Sequence, residues 1–215
     1  MNSIGKNRSL YGIVDLGYVA PQDVLRITEK LVSGGVDVVQ LRAKNLAKTE
    51  IVRLAEAMLQ IARPNNVPLI INDYPDLLHE VEADGFHLGQ EDLAVAAARV
   101  LVGRPCIIGK STHSIRQAIR AQAEGADYIG FGPLFTTATK PTAKAIGLND
   151  IRAVHQQVTI PVYCIGGVKL ANLSEVLAAG AKRVCIVSDL LLAKDIAKQA
   201  AAVKKMLASA SPGSN

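Results

Sequence analysis

Apolar and polar positions follow one another along this chain in two rhythms. Short runs rich in β-branched and aromatic residues read as strands: "SLYGIVD" (9–15), "VDVVQLR" (36–42), "PLIIND" (68–73), "GFHLGQ" (85–90), "CIIGKS" (106–111), "YIGFG" (128–132), "PVYCIGG" (161–167) and "RVCIVS" (183–188). Each is followed by a segment with helical period and a surplus of Ala, Leu, Glu, Lys and Gln: 21–33, 48–63, 75–82, 93–102, 114–124, 148–157, 171–179 and 193–208. Segment 114–124 illustrates the reading. Ser114 can cap it, Ile115, Ala118, Ile119 and Gln122 fall near one stripe, and Gly125 can end it. Three helix ends share one phrasing: "SGGVDVVQ", "AEGADYIG" and "AAGAKRVC" each run helix, glycine, strand. Eight βα units with no antiparallel signal predict an α/β protein made of a single (β/α)8 TIM barrel. An open doubly wound sheet is disfavoured by the count of eight and by the lack of GxGxxG after the first strand. The barrel is expected to be one domain over 1–215, with loose tails at about 1–8 and 209–215.

One stretch breaks the rhythm. "FGPLFTTATKPTAKAIG" (131–147) holds four threonines and two lysines without periodicity, in a barrel whose other loops must be short. Composition then narrows the classes. Apolar residues make up 49% of the 215, and mean hydropathy is +0.23, which supplies a sizeable core. The apolar runs stay well below the ~18 residues of a membrane span, and the N-terminal residues lack an apolar signal core. Cys106, Cys164 and Cys185 each lie inside a strand-like run and have no CxxC or Cys/His partner. They read as buried core thiols in a reduced, cytoplasmic setting. The net charge of +5 points to an anionic ligand, whereas 4% aromatics and no Trp argue against nucleic acid.

Polar residues collect where a barrel places its site, at the C-terminal ends of the strands. Gln40, Arg42 and Lys44 alternate by two at the end of the second strand and form a donor array for an anion. Asn72 and Asp73 end the third strand, and Asp92 follows the fourth. Carboxylates on these neighbouring rims suit either ion pairs or Mg²⁺, which takes one or two protein carboxylates. Asp92 could equally cap the helix at 93–102. On the fifth strand Ser111 is favoured over Lys110 as the residue facing the centre, since the two cannot both do so. His113 is left open, and His79, His87 and His155 read as structural or surface residues. Gly166-Gly167 and Val187-Ser188 end strands seven and eight, the usual phosphate position of this fold.

The motifs "QLRAK", "IIND", "GFHLGQED", "GKSTHS", "GPLFTTATK", "CIGGV" and "IVS" resemble, in order and spacing, those of the thiamine-phosphate synthase family, over about Ser9 to Leu207. The resemblance implies a transferase of thiamine biosynthesis. It would join 4-amino-2-methyl-5-(diphosphomethyl)pyrimidine to hydroxyethylthiazole phosphate and release diphosphate. Gln40, Arg42, Lys44, Asn72, Ser111 and Lys140 would bind the diphosphate. Asp73 and Asp92 would hold Mg²⁺ against it. Thr137, Ala138, Thr139, Gly167, Val187 and Ser188 would hold the thiazole's phosphate. Arg42, Lys44, Ser111 and Lys140 would stabilise the departing group. Tyr74, where the family often has a second Asp, Lys110 and Lys144 depart from the family's pattern. The competing readings are a thiazole tautomerase-type paralogue, which does without the Gln40-Arg42-Lys44 and Asp73-Asp92 set, a Schiff-base aldolase using Lys110, and a non-catalytic sensor of phosphorylated ligands. If Lys140 meets the departing diphosphate, Lys140→Ala slows single-turnover chemistry about tenfold or more while thiazole phosphate affinity changes little. Lost affinity with unchanged turnover would contradict that role.

Overall fold

The computed structural model describes residues 4–5, 7–137 and 144–210. Eight parallel strands close into a barrel in chain order: β1 (Leu10–Asp15), β2 (Val38–Arg42), β3 (Leu69–Asn72), β4 (Gly85–Leu88), β5 (Ile107–Thr112), β6 (Tyr128–Phe131), β7 (Val162–Ile165) and β8 (Val184–Ile186). Closure is made where β8 pairs with β1, Leu10 opposite Val184. The helices outside are α1 (Val24–Ser33), α2 (Lys48–Ala62), α3 (Val95–Val102), α4 (Ile115–Ala123), α5 (Ile151–Gln157), α6 (Leu173–Ala178), α7 (Ser188–Leu191) and α8 (Ile196–Ala210). The (β/α)8 barrel expected from the sequence is therefore the fold. Among the described residues, no helix is long and apolar enough to cross a membrane.

Three expectations need correction. The segment 75–82 forms a 3-10 turn at Pro75–His79 rather than an α-helix. Residues 73–84 must turn twice and run back the length of the barrel. A 3-10 rise of ~2.0 Å per residue covers that distance in fewer residues than the ~1.5 Å of an α-helix. After β8 the chain forms two helices, not one, because α7 begins directly at Ser188. The leading residues are not wholly loose. Ile4 is buried, and the Arg8 guanidinium donates to the carbonyls of Asp37 and Asn66.

Alternation along the strands makes two cores. Outward residues such as Val14, Val39, Ile71, Phe86, Leu88, Ile108 and Ile129 pack beneath the helices with Leu31, Met58 and Val203. Inward residues Tyr11, Ile13, Val38, Ile70, Ile107, Tyr128, Tyr163 and Cys185 fill the barrel, with Ile4 packed against them. The three tyrosine rings lie 5.3–5.8 Å apart, and Tyr163 meets the other two edge-on. All three cysteines are buried and unpaired, and burial alone pushes the Cys164 thiol up to about 12.

The shared phrasing of the helix ends has a structural cause. In the first two, an Asp stands just before an even-numbered strand and clamps the start of the preceding odd one. Asp37 donates its N–H to Leu10 O at 2.8 Å, and its carboxylate accepts the N–H groups of Ser9 and Leu10, each at 2.8 Å. Asp127 treats Ile108 in the same way, and so does Asp84, before β4, with Leu69. The third phrase has Arg183 at this place, so no carboxylate stands there to make the clamp; the Arg183 carbonyl accepts the Cys164 N–H at 3.0 Å. Lys204 of α8 adds an ion pair to Asp37 at 2.6 Å, tying β1, β2 and the last helix together. Asp37→Ala leaves two strand-entry N–H groups and Lys204 without their acceptor. It should lower unfolding free energy by about 3 kcal/mol in denaturant titration; a loss below about 1 kcal/mol would show that the clamp is dispensable.

Candidate active site

The C-terminal ends of the strands enclose a cavity with about 100 Å³ of water-accessible space, and its concave, mostly apolar lining with a few convergent polar groups is that of a small-molecule site. Its floor is the tyrosine cluster. Its walls carry the inward residues one layer above: Gln40 and Arg42 from β2, Asn72 from β3, His87 from β4 and Ser111 from β5. Alternation puts them there. Gln40 stands opposite Ile13 and Ile70, and His87 opposite Asn72 and Gly109, all in register on the inner face. Thr137, Gly166, Gly167, Val187 and Ser188 line the other side, after β6, β7 and β8.

Two glycines shape this second wall. Gly166 and Gly167 have φ of +91° and +69°, a region in which a side chain is strained. A methyl group on Gly166 would also run into Pro133, and one on Gly167 would sit 2.7 Å from Phe135 Cβ. The loop after β6 therefore lies directly on the loop after β7. Leu134 and Phe135 donate to the carbonyls of Ile165 and Gly166 at 2.8 and 3.0 Å, and Ile146 donates back to Pro133 at 2.8 Å. The base of the segment that breaks the sequence rhythm is thus stitched to the barrel. Its residues Ala138, Thr139 and Lys140 lie outside the described residues.

Arg42 is held by a carboxylate that sequence reasoning passed over. Asp15, at the end of β1, is 2% exposed, lines the cavity and binds Arg42 Nη1 at 2.7 Å. Its other oxygen accepts the Gly17 N–H at 2.9 Å. The signal was present, since Tyr11, Ile13 and Asp15 alternate by two on one face. His87 was also misplaced as structural or surface. It stands between the buried, outward Phe86 and Leu88, so the pleat turns it inward. Its ring lies 3.0 Å from both Ser111 Oγ and the Tyr128 hydroxyl. Ser111 is inward as expected, and the Gln90 side-chain amide donates to its carbonyl. Lys110 points outward and donates to Leu93 O at 3.2 Å, so it is not placed for a Schiff base in the cavity. Burial lowers its pKa. His113 lines the cavity, with Nδ1 hydrogen-bonded to Gly132 O.

The two carboxylates expected to bind metal stand together beside this cavity rather than in its lining. Asp73 has φ +66°, a backbone that Asp and Asn tolerate better than most residues. It pairs with Lys44 Nζ at 3.2 Å. Burial first, and then the neighbouring Asp92 carboxylate, push the Asp73 carboxyl above its ordinary value. Asp92 does not cap a helix. The cap of α3 falls at Ala94, and Asp92 Oδ2 accepts the Gly89 N–H at 2.6 Å. No cluster of three or more metal-ligating side chains occurs among the described residues.

A closed (β/α)8 barrel whose buried polar side chains converge on one cavity at the C-terminal strand ends has the layout of a barrel enzyme. The particular family follows from comparison with known proteins: the chain belongs to the thiamine monophosphate synthase family, whose model matches residues 10–190. A thiamine-phosphate synthase of Halalkalibacterium halodurans is 41% identical over 188 residues, 87% of this chain and 89% of its own length. One of Thermus thermophilus is 44% identical over 181 residues, 84% of this chain and 87% of its own length. The solved structure of thiamine phosphate pyrophosphorylase from Pyrococcus furiosus superposes with a TM-score of 0.87 at 30% identity, covering 95% of this chain and 98% of that one.

The raised Asp73 carboxyl has a consequence for stability. Its folded value lies above the unfolded one of ~3.9, so the ionised form costs folding free energy at neutral pH. Asp73→Asn removes that charge from beside Asp92 and keeps a residue suited to positive φ. In metal-free buffer at pH 7.5 its thermal midpoint should equal or exceed that of the wild type. A fall of more than about 3 °C would show that the Lys44 pair outweighs the repulsion.

Proposed function

We propose that this barrel is a single-domain thiamine-phosphate synthase. It joins the pyrimidine methylene of 4-amino-2-methyl-5-(diphosphomethyl)pyrimidine to the nitrogen of hydroxyethylthiazole phosphate and releases diphosphate. The observation that carries the reading is the two-sided cavity in a chain of this family: donors on β2, β3 and β5 face a glycine- and hydroxyl-lined wall on the loops after β6 to β8. One side suits a diphosphate and the other a monophosphate. The methylene and the thiazole nitrogen would meet between them.

The donor set fits a magnesium ion. Asp73 and Asp92 offer only oxygen, and the Asp92 carboxylate stands close enough to disfavour the ionisation of Asp73; one or two carboxylates, waters and phosphate oxygens are what Mg²⁺ takes. When bound, the metal would neutralise charge growing on the leaving diphosphate. The chain's own groups supply the rest. Arg42 is aligned by Asp15 and keeps a permanent positive charge at the cavity wall. Lys44 stands at the rim, where its ammonium can serve the same oxygens. Ser111 and Asn72 offer neutral donors to diphosphate oxygens. Such pre-aligned donors lower the barrier because they need no reorganisation as the C–O bond lengthens. Thr137, Gly167, Val187 and Ser188 would hold the thiazole's phosphate, with Ala138 and Thr139 following Thr137 in the chain, and Lys140 would reach toward the diphosphate. The thiazole nitrogen brings its own lone pair and loses no proton on attack, so no general-base dyad is required.

Mixing both substrates with Mg²⁺ should release one diphosphate per thiamine phosphate formed, and EDTA should stop both. Diphosphate release without thiamine phosphate would overturn the joining reaction. Full activity in Asp73→Ala combined with Asp92→Ala would overturn the metal assignment.

A further inference from the structure

A chain of hydrogen bonds crosses the barrel beneath the cavity and ends at two of its wall residues. Gln40 Nε2 donates to the Tyr11 hydroxyl at 2.8 Å. The Tyr11 and Tyr128 hydroxyls are 2.9 Å apart, Tyr128 is 3.0 Å from His87 Nδ1, and His87 Nε2 is 3.0 Å from Ser111 Oγ. Each phenol has one hydrogen to give. Tyr11 is 2% exposed and already accepts from Gln40, and its remaining partner is Tyr128. Were Tyr128 the donor to Tyr11, the Tyr11 hydrogen would be buried without an acceptor, which costs ~1–3 kcal/mol. Tyr11 therefore donates to Tyr128, and Tyr128, 1% exposed, donates to His87 Nδ1. That leaves the neutral ring with its hydrogen on Nε2, which donates to Ser111 Oγ. The Ser111 hydroxyl, having accepted, keeps its own hydrogen for the cavity.

Packing holds the path open. Gly109 faces the barrel between His87 and Tyr128, and a methyl group there would overlap the Tyr128 ring and His87 Nδ1. Burial pushes the Tyr11 and Tyr128 hydroxyls well above the ordinary phenol pKa, so both remain protonated donors at working pH.

We propose that this Gln40–Tyr11–Tyr128–His87–Ser111 relay is an orienting device, in which Tyr11, Tyr128 and His87 act as positioning residues that lock the Ser111 hydroxyl as a donor toward an anionic oxygen of the substrate. It deepens the synthase reading and rests on it for the identity of that oxygen, which belongs to the departing diphosphate. The relay exchanges no proton in turnover; its effect is the fixed polarity of five groups. Gln40 stands at the opposite end, and its second amide hydrogen remains for the same ligand.

The relay is tested on the full chain in two ways. Nitrogen-15 NMR of the four histidine rings, with His87 assigned through His87→Gln, should show His87 protonated on Nε2 and bare at Nδ1. In Tyr128→Phe the ring should become a mixture of both tautomers. In kinetics, Tyr128→Phe should lower kcat about tenfold, with little change in the KM of either substrate. On a Ser111→Ala background the same substitution should cost no further activity, because its effect passes through Ser111. An Nδ1-protonated His87 in the wild type overturns the relay. So does an equal loss from Tyr128→Phe on both backgrounds, the mark of general damage to the core. A wild type that fails to join the two substrates overturns the synthase reading instead, and the tautomer measurement still decides the relay.

Discussion

Three tyrosine hydroxyls enclosed in a barrel are the constraint around which this molecule is arranged. A closed eight-stranded sheet turns every second residue inward, and the interior must be filled to the density of a packed core. Here Tyr11, Tyr128 and Tyr163 do most of the filling, and each brings a hydroxyl that is expensive to bury alone. Tyr163 discharges its hydrogen downward, to the carbonyl of Arg8 at 2.9 Å, which helps fix the segment before β1 against the barrel. Tyr11 and Tyr128 face upward and find Gln40 and His87. The polar layer of the site is therefore also the layer that satisfies the floor. Stability and orientation use the same bonds.

The same economy governs charge. Buried ions are costly unless paired, and the charges here have partners: Arg42, in the cavity wall, has Asp15, and Asp73, beside the cavity, has Lys44. The pairs differ in what they leave over. Asp15 is enclosed and gives both oxygens, one to Arg42 and one to the Gly17 N–H, so its role ends with alignment. Asp73 sits at positive φ beside a second carboxylate, an arrangement unfavourable in itself. Local strain and like-charge proximity at one residue are the kind of cost that a fold keeps for a ligand, which in the proposed function is a cation.

Much of this was legible in the sequence, and the failures share a cause. The eight strands could be read because most outward positions are apolar, Lys110 on β5 being among the exceptions. The cavity-facing parity of Gln40, Arg42 and Ser111 followed from the period of two. His87 and Asp15 obey the same parity, yet they were missed: His87 was weighed as a histidine without a partner at ligand spacing, and Asp15 was passed over. Phe86 and Leu88 on either side of His87 already fixed its direction. The 3-10 turn at Pro75–His79 was illegible for another reason. Its composition suits a helix, and the limit comes from the distance between strand ends, which no local pattern encodes. The first turn after β8 was hidden because "IVSDLL" reads as a strand running into a loop, whereas closure onto β1 ends β8 at Ile186 and leaves Ser188 to begin α7. The Asp clamp before the even strands stood in the shared phrasing of the helix ends, but its meaning required the register.

The two sides of the cavity rest on different kinds of backbone. Gln40, Arg42, Asn72, His87 and Ser111 all lie within strands, where ladder bonds on both sides fix the direction of every side chain. Thr137, Gly166 and Gly167 lie on loops that hold one another through main-chain bonds and glycine conformations. The division matches the tasks proposed for each side. Charge developing on a leaving group rewards donors already aimed at where it will appear, since misalignment by an ångström forfeits most of the gain. Strand-borne groups joined by a polarised relay meet that demand. A monophosphate that is bound but not broken needs only enclosure by N–H groups and hydroxyls, and loops provide that with less precision. The fold thus places its most rigid elements where bonds would change and its more adaptable ones where a substrate is merely held.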